Sequence, residues 1–134
     1  MTPPPSISQA TLDQLLAPST ATLTSVLKEH GLGNTFMHNV MPLRPDMKMA
    51  GRAYTLRYIP AREDLNDIPM DNLTDKQRIG IEEMDVGDVL VIDARGETRA
   101  GTMGSILAER MHQKGISGVV TDGAYRDSPA IAAS

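Results

Sequence analysis

The sequence has no cysteine and few aromatic residues. Without cysteine among its 134 residues, the chain has no disulfide, no zinc–thiolate site and no thiol nucleophile. This composition suits a reducing cytoplasm, where we expect the protein to reside. Aromatic side chains make up 3% of the chain, whereas methionine occurs nine times and is concentrated between residues 37 and 49. These methionines serve either as flexible filling of the core or as an adaptable binding surface.

An excess of positive charge and long apolar runs are also lacking. The chain carries 13 lysines and arginines against 17 acidic residues, a net charge of −4. Nucleic-acid binding calls for a basic face over the phosphates, so bulk charge gives no reason to expect a nucleic-acid partner. No apolar run approaches the roughly 20 residues needed to span a bilayer. The N-terminal sequence MTPPPSISQA lacks the basic and apolar regions of a signal peptide, so we expect no membrane partner.

The length of 134 residues fits one domain with one modest core. Three prolines at positions 3–5 predict an extended arm, and leucines at helical spacing predict a short helix that ends at Pro18. We therefore interpret residues 1–18 as an N-terminal arm with a short helix, and residues 19–134 as the domain.

Hydrophobic patterning predicts strands that alternate with helices. Residues 105–115 repeat apolar side chains at helical spacing, with Ile106 and Met111 on the predicted buried stripe. Three segments are predicted strands because they are rich in apolar and β-branched residues: 52–59, 89–93 and 118–121. The last two flank the helix, and a strand–helix–strand unit implies a parallel pair with a right-handed crossover. The fold class is therefore α/β with a parallel βαβ core.

Capping residues predict where two further helices begin and end. Ser19 or Thr20 caps a helix that ends at Gly31, where a glycine suits the left-handed conformation. Thr74 and Gln77 have the spacing of a capping box, which predicts a short helix through about residue 84.

A cation and an anion follow the second strand of the βαβ core. Parallel strands end at one edge of a sheet, so Arg126, Asp127 and the helix that begins near Gly104 are predicted to share a rim. A helix N-terminus suits a carboxylate or phosphate, and arginine grips a carboxylate through two hydrogen bonds. Asp127 offers the hard oxygen that Mg²⁺ and Mn²⁺ prefer. Two alternatives remain open: the glycines are only turn and packing residues, and Arg126 with Asp127 is only a surface ion pair or a turn cap.

The segment GDVLVIDARGETRAGTMGSILAERMHQKGISGVVTDGAYRDS resembles the core of the RraA-like proteins. That family includes the regulator of ribonuclease E activity A and the class II 4-hydroxy-4-methyl-2-oxoglutarate aldolases. Three motifs carry the resemblance in order: G-D-V-[LIV]-V-x-D, G-x-x-G-x-x-[LIV]-A and D-G-x-x-R-D. The similarity extends upstream through TATLTSVLKEHGL and MAGRAYTLRYI, and covers roughly residues 19–130.

The resemblance implies a swivelling β/β/α fold, a homotrimer or hexamer, and active sites at subunit boundaries. It implies a lyase that releases pyruvate from a hydroxylated keto acid or decarboxylates oxaloacetate. A divalent metal, Mg²⁺ or alternatively Mn²⁺, chelated by the 2-keto acid would stabilise the pyruvate enolate. By position, Asp127 would hold the metal and Arg126 would contact the pyruvyl unit. Four backbone amides would hold the pyruvyl carboxylate: those of Gly104, Ser105, Ile106 and Leu107.

The chain departs from the aldolase pattern in two places. Aldolase members commonly carry an acid where this chain has Ser105, and members continue with further strands, so we expect the domain to be incomplete at its C-terminus.

Three hypotheses follow. The leading one is a metal-dependent aldolase or decarboxylase acting on small 2-keto acids. The second is a non-catalytic regulator with a ribonuclease as its protein partner, and the third is an inactive remnant with the family fold.

Overall fold

The computed structural model describes residues 6–62, 64 and 71–133. The predicted proline arm at positions 3–5 lies outside the described residues. The helices are α1 Gln9–Leu16, α2 Thr20–Glu29, α3 Lys76–Glu83, α4 Ser105–Gln113 and α5 Ser128–Ala133. The strands are β1 Ala53–Arg57, β2 Val89–Asp93, β3 Gly101–Met103, β4 Gly118–Thr121 and β5 Ala124–Tyr125. Among the described residues, no helix has both the length and the apolar character to cross a membrane.

The main sheet has three parallel strands in the order β1-β2-β4. Val91 of β2 pairs with Thr55 on one side and with Val120 on the other, so β2 is the central strand. Leu90 and Ile92 of β2 are 0% and 2% exposed, as expected for a strand covered on both faces. The helix α4 connects β2 to β4, which confirms the predicted parallel βαβ core.

The core collects around the central strand. Leu90 of this strand is 0% exposed and belongs to one apolar cluster with residues of α3 and α4. The residues of this cluster are Ile81, Met84, Leu90, Ile92, Met103, Met111 and Ile116. Burial of this kind contributes roughly 1.5–3 kcal/mol per large aliphatic side chain, so the core rests on a small set of residues.

A second, two-stranded sheet pairs β3 with β5 in parallel. Gly101 lies opposite Ala124 and Met103 opposite Tyr125, and the Arg126 N–H donates to the Met103 carbonyl oxygen at 2.8 Å. The sequence patterns predicted neither β5 nor α5. Both are short, with two and six residues, so they are stabilised by tertiary contacts rather than by periodicity.

Two predicted caps have different outcomes. The Ser19 hydroxyl accepts from the Thr22 N–H at 3.1 Å, and Gly31 has a φ of 81°, which confirms both ends of α2. The capping box is wrong, because Asp75 rather than Thr74 precedes α3. Its carboxylate accepts from the N–H groups of the second and third helical residues at 2.8 and 3.0 Å. A short carboxylate is a strong N-cap, and Thr74 instead donates to the Asp71 carbonyl oxygen.

The predicted buried stripe of α4 is wrong at one position. Met111 is 3% exposed and belongs to the core, but Ile106 is 82% exposed. Five residues separate the two, and at 3.6 residues per turn they lie about 140° apart around the helix axis. Ile106 therefore points away from the sheet, and Leu107 contacts the core instead.

The methionine-rich segment does not behave as core filling throughout. Met37 and Met41 are 51% and 82% exposed. Met49 packs on the sheet, since a methyl group placed on Gly118 would lie 2.5 Å from its sulfur. The helix α2 buries none of its residues, and Val26 on it is 46% exposed, so apolar side chains of this helix are also accessible.

We predict that Leu90→Ala lowers the free energy of unfolding by about 2–5 kcal/mol, because a fully buried leucine leaves a cavity that its neighbours fill only partly. Chemical denaturation measures the change. Leu73→Ala is the matched control, since Leu73 is 84% exposed, and we expect it to stay within about 0.5 kcal/mol of the original chain. Equal losses in the two variants would contradict the central position of β2.

Candidate functional site

The pair Arg126 and Asp127 lies beside the first turn of α4. The Ser105 N–H and hydroxyl donate to Oδ2 of Asp127 at 3.3 and 3.0 Å. A methyl group placed on Gly104 would lie 3.3 Å from the same oxygen and 3.5 Å from Nη2 of Arg126. The pairing of β3 with β5 creates this proximity, because each strand leads directly to one half of the site. The structure therefore brings the predicted helix start and the predicted ion pair together.

Asp127 serves the beginnings of two helices. Its backbone has a φ of 57°, a left-handed conformation that aspartate adopts more readily than most residues. Its carbonyl oxygen accepts from the N–H groups of Ala130 and Ile131 at 2.9 and 3.1 Å, which begins α5. Its carboxylate caps α4, whose own N-cap residue is Gly104 and has no side chain to do so. Asp127 thus has a structural role in addition to the predicted metal-binding role.

The first turn of α4 presents backbone amides at this point. The first intrahelical bond runs from the Ala108 N–H to the Gly104 carbonyl oxygen at 3.2 Å. The amides of Ile106 and Leu107 precede it and donate to no carbonyl of the described residues. The Ser105 amide differs, because Asp127 accepts from it. Of the four amides predicted to hold a carboxylate, those of Ile106 and Leu107 are therefore the ones available to donate to a ligand.

Arg126 is exposed and reaches the site across β3. A methyl group on Gly101 would overlap Cγ of Arg126 and would lie 3.2 Å from its Cδ, so only a glycine lets the arginine side chain pass. Within the described chain, no carboxylate, including that of Asp127, lies within 4.0 Å of its guanidinium. The interpretation of Arg126 and Asp127 as a surface ion pair is therefore wrong, whereas the turn-cap alternative agrees with the bonds between Asp127 and the first residue of α4. The Arg126 guanidinium is available to an anion.

A cation at this rim would have one carboxylate of this chain as its ligand. The described residues hold no cluster of three or more histidine, cysteine, aspartate or glutamate side chains that would surround a metal. Asp127 is exposed, and its Oδ1 accepts no hydrogen bond from the described residues. Mg²⁺ commonly keeps several waters and takes one or two carboxylates together with ligand oxygens, so this donor set fits Mg²⁺ or Mn²⁺.

Two aspartates, Asp93 and Asp122, hold the loop that follows β2, and the sequence indicated this structural role for Asp93 alone. The Asp122 carboxylate accepts from the N–H groups of Ala94 and Gly96 at 2.6 and 2.7 Å and so ties the loop after β2 to the end of β4. Asp93 accepts from the Arg95 N–H at 3.0 Å and from Nε of Arg57 at 2.7 Å. The Arg95 N–H, followed by the Arg57 guanidinium, holds the pKa of Asp93 below its ordinary value. The only sequence signal for Asp122 was the Asp-Gly turn itself.

The site is an open rim rather than an enclosed cavity. Two depressions of about 280 and 260 Å³ lie elsewhere on the described surface, and neither is lined by Arg126 or Asp127. The smaller one runs between α3 and α4 and begins at Ile106 and Leu107. It is lined by Arg78, Ile81, Glu82, Ile106, Leu107 and Arg110.

We predict that Gly101→Ala destabilises the protein by about 1–3 kcal/mol, because the added methyl group forces the Arg126 side chain out of its place. Chemical denaturation measures the loss. Gly33→Ala is the matched control, since nothing lies within 4 Å of a methyl group there. A Gly101→Ala chain as stable as the control would show that Arg126 does not depend on this contact.

A second prediction concerns the ion pair that joins α3 to α4 beside the site. The Arg110 guanidinium, with a smaller effect of Lys114, lowers the pKa of Glu82 from 4.5 to about 2. A lowered pKa in the folded state stabilises the fold above pH 4.5, and this stabilisation is lost as the pH falls towards 2. Glu82→Gln should therefore be less stable than the original chain at pH 7 and equally stable near pH 2, as measured by urea unfolding. A difference that is constant across this range would contradict the assignment.

Comparison with known proteins identifies relatives. The family model RraA-like, described as Aldolase/RraA, matches residues 20–134. The structure of Streptomyces coelicolor RraAS2, described as an unusual member of the RNase ES inhibitor RraA protein family, is 31% identical. It superposes with a TM-score of 0.81 and covers 95% of this chain and 60% of that protein.

Two further proteins are similar to this chain over most of its length. The RNA-processing inhibitor RraA from Thermus thermophilis is 29% identical, with a TM-score of 0.63, over 85% of this chain and 60% of that one. Protein DlpA of Legionella pneumophila is 28% identical over 120 residues, which are 90% of this chain and 18% of DlpA. The chain thus spans about 60% of the length of the two solved relatives.

Proposed function

The chain belongs to the RraA-like family, and we propose that it is a divalent-metal-dependent lyase that cleaves or decarboxylates short 2-keto acids through a pyruvate enolate. The family includes aldolase and decarboxylase members as well as inhibitors of ribonuclease E, so membership alone leaves the activity open. One observation supports the lyase. A guanidinium that pairs with no carboxylate of the described residues stands beside an exposed carboxylate at the amide-rich start of α4.

The proposal gives Arg126 and the α4 amides the task of binding the substrate. A 2-keto acid carries a carboxylate next to a carbonyl, and the oxygens of both groups accept hydrogen bonds. The amides of Ile106 and Leu107 suit the carboxylate, and the Arg126 guanidinium suits the pyruvyl oxygens with two N–H groups in one plane. Hydrogen bonds to charged groups of this kind contribute about 1.5–3 kcal/mol each. Together they would orient the bond that breaks.

Asp127 would hold the divalent cation, with Mg²⁺ as the first choice and Mn²⁺ as the alternative. When bound, such a cation stabilises the negative charge that develops on the keto oxygen. In decarboxylation of oxaloacetate, the bond to the leaving carboxyl group breaks, carbon dioxide departs, and the electron pair remains on the pyruvyl unit as an enolate. Arg126 adds positive charge beside this unit, and a proton from water then gives pyruvate. Aldol cleavage shares this enolate, with a second carbonyl compound as the leaving group.

The open rim favours an assembly of several copies. Electrostatic stabilisation is stronger where water is excluded, and the described chain leaves Arg126 and Asp127 exposed. We therefore propose a homotrimer or hexamer in which a neighbouring copy covers the site. Exposed apolar side chains such as Met37, Met41 and Val26 of α2 are available for contacts between copies.

A second candidate is a non-catalytic regulator that binds a ribonuclease. Ser105 stands where aldolase members commonly carry an acid, and its hydroxyl is bonded to Asp127 rather than free to orient a water molecule. One solved relative is described as an RNA-processing inhibitor, and another as an unusual member of an RNase ES inhibitor family. This candidate gives no chemical task to the guanidinium of Arg126 beside the carboxylate of Asp127 at a helix start, so we rank it second.

We predict pyruvate release from oxaloacetate that depends on added Mg²⁺. Arg126→Gln and Asp127→Asn should each lower kcat/KM by about tenfold to a hundredfold, the equivalent of one lost charged interaction. Asn is chosen at position 127 because it keeps an oxygen for the Ser105 hydroxyl and tolerates the left-handed backbone. A coupled assay that reports pyruvate measures the rate.

Two exposed residues that make no hydrogen bond or ion pair with Arg126 or Asp127 provide matched controls. Arg99→Gln removes a guanidinium that is paired with Glu97, and Asp46→Asn removes a carboxylate that is paired with Arg44. Both controls should keep the original rate. If the original chain releases pyruvate no faster than buffer with Mg²⁺, the lyase proposal fails. Inhibition of RNA cleavage by a ribonuclease E type enzyme would then support the second candidate.

A further inference from the structure

The contact between Ser105 and Asp127 restrains a carboxylate that would otherwise be free to turn. Asp127 lies in an exposed turn between β5 and α5, and its side chain has no other hydrogen bond within the described chain. Ser105, by contrast, is the first residue of α4 and sits on a regular helix that packs against α5. The Ser105 hydroxyl therefore links the exposed carboxylate of Asp127 to the helix α4.

The geometry of the contact distinguishes the two carboxylate oxygens. Both donors of Ser105, its N–H at 3.3 Å and its hydroxyl at 3.0 Å, reach Oδ2. The hydroxyl makes the shorter bond, and Oδ1 accepts no hydrogen bond from the described residues. With Oδ2 held, Oδ1 has a fixed direction and keeps its lone pairs for a ligand outside the chain.

Gly104 and the Arg126 guanidinium lie on the other sides of the Asp127 carboxylate. Any side chain at position 104 would approach Oδ2 and Nη2 of Arg126, at 3.3 and 3.5 Å for a methyl group. The carboxylate thus faces a helix end on one side and a guanidinium on another, without a direct bond to the latter. The hydroxyl of Ser105 is the one side-chain group of the described residues that fixes its orientation.

We propose that the Ser105 hydroxyl is a positioning group for the metal ligand: it holds Oδ2 of Asp127 so that Oδ1 meets a divalent cation in one orientation. This inference rests on the proposed function. It also gives Ser105 a task that differs from the amide contact to substrate, because the hydroxyl acts on the cation through Asp127. Groups that orient a metal ligand typically strengthen metal binding by about tenfold to a hundredfold.

The test is a titration of the full chain with Mn²⁺ alone, followed by electron paramagnetic resonance of the free ion. Ser105→Ala should weaken Mn²⁺ binding by about tenfold. Ser105→Thr restores a hydroxyl and should stay within about threefold of the original affinity, since the bond to Oδ2 can re-form. Ser128→Ala is the matched control, because the Ser128 hydroxyl follows Asp127 directly and makes no hydrogen bond within the described chain. It should bind Mn²⁺ as the original chain does.

A kinetic comparison separates positioning from catalysis and from folding. In Ser105→Ala, the Mg²⁺ concentration for half-maximal pyruvate release should rise about tenfold, while kcat at saturating Mg²⁺ stays within about threefold. A lower kcat at saturating Mg²⁺ with unchanged Mn²⁺ affinity would overturn the proposal in favour of direct catalysis. Thermal unfolding of each variant, with Ser105→Thr as the well-capped reference, identifies any loss that comes from α4 itself.

The outcomes also separate this inference from the proposed function. If the original chain binds Mn²⁺ and releases pyruvate with Mg²⁺, but Ser105→Ala binds Mn²⁺ within twofold of the original affinity, the positioning role is wrong and the lyase proposal stands. If the original chain binds no Mn²⁺ and shows no Mg²⁺-dependent turnover, both fail together. Reduced Mn²⁺ affinity in Ser105→Ala that Ser105→Thr restores supports the role of the hydroxyl.

Discussion

The hydrogen bond from the Arg126 N–H to the Met103 carbonyl oxygen, 2.8 Å long, determines where the end of β5 meets the start of α4. It continues the parallel pairing of β3 with β5 by one residue, so the next residue of each segment falls beside the other. Asp127 reaches Ser105 as a result, and its carboxylate caps a helix that belongs to a different part of the chain. The backbone pairing of the two short strands β3 and β5 thus determines where the charged side chains of the site lie.

The sequence predicted most of the main sheet because its signals are strong. The run VLVID and the segment GVVT have no polar interruption, which is the pattern of strands buried on both faces, and the helix between them has clear periodicity. The same signals predicted that Arg126 and Asp127 would share a rim with α4. The structure reaches this result by another route, since β3 and β5 rather than β2 and β4 make the direct contact. Two residues of β5 are too few for any periodic pattern to reveal.

Contacts between distant residues were beyond the sequence signals. Ile106 was misplaced because its spacing from Met111 fits an apolar stripe only loosely, and burial depends on the face that α4 turns to the sheet. The bond between Ser105 and Asp127 spans 22 residues of sequence and has one indirect signal. A helix that begins after a glycine has no capping side chain of its own, so the acceptor for its first turn has to come from another segment.

Asp127 has a structural role as a helix cap and a proposed role as a cation ligand, and these two roles constrain its replacement in evolution differently. Its left-handed backbone and its cap on α4 are met by aspartate or asparagine whether or not any reaction takes place, whereas only the charge serves a cation. A descendant of this fold that had lost all chemistry would still be selected to retain one of these two residues at position 127. Position 126, which has no such structural duty for its guanidinium, would be free to drift. An arginine before the aspartate is therefore a better mark of a working site than the aspartate itself.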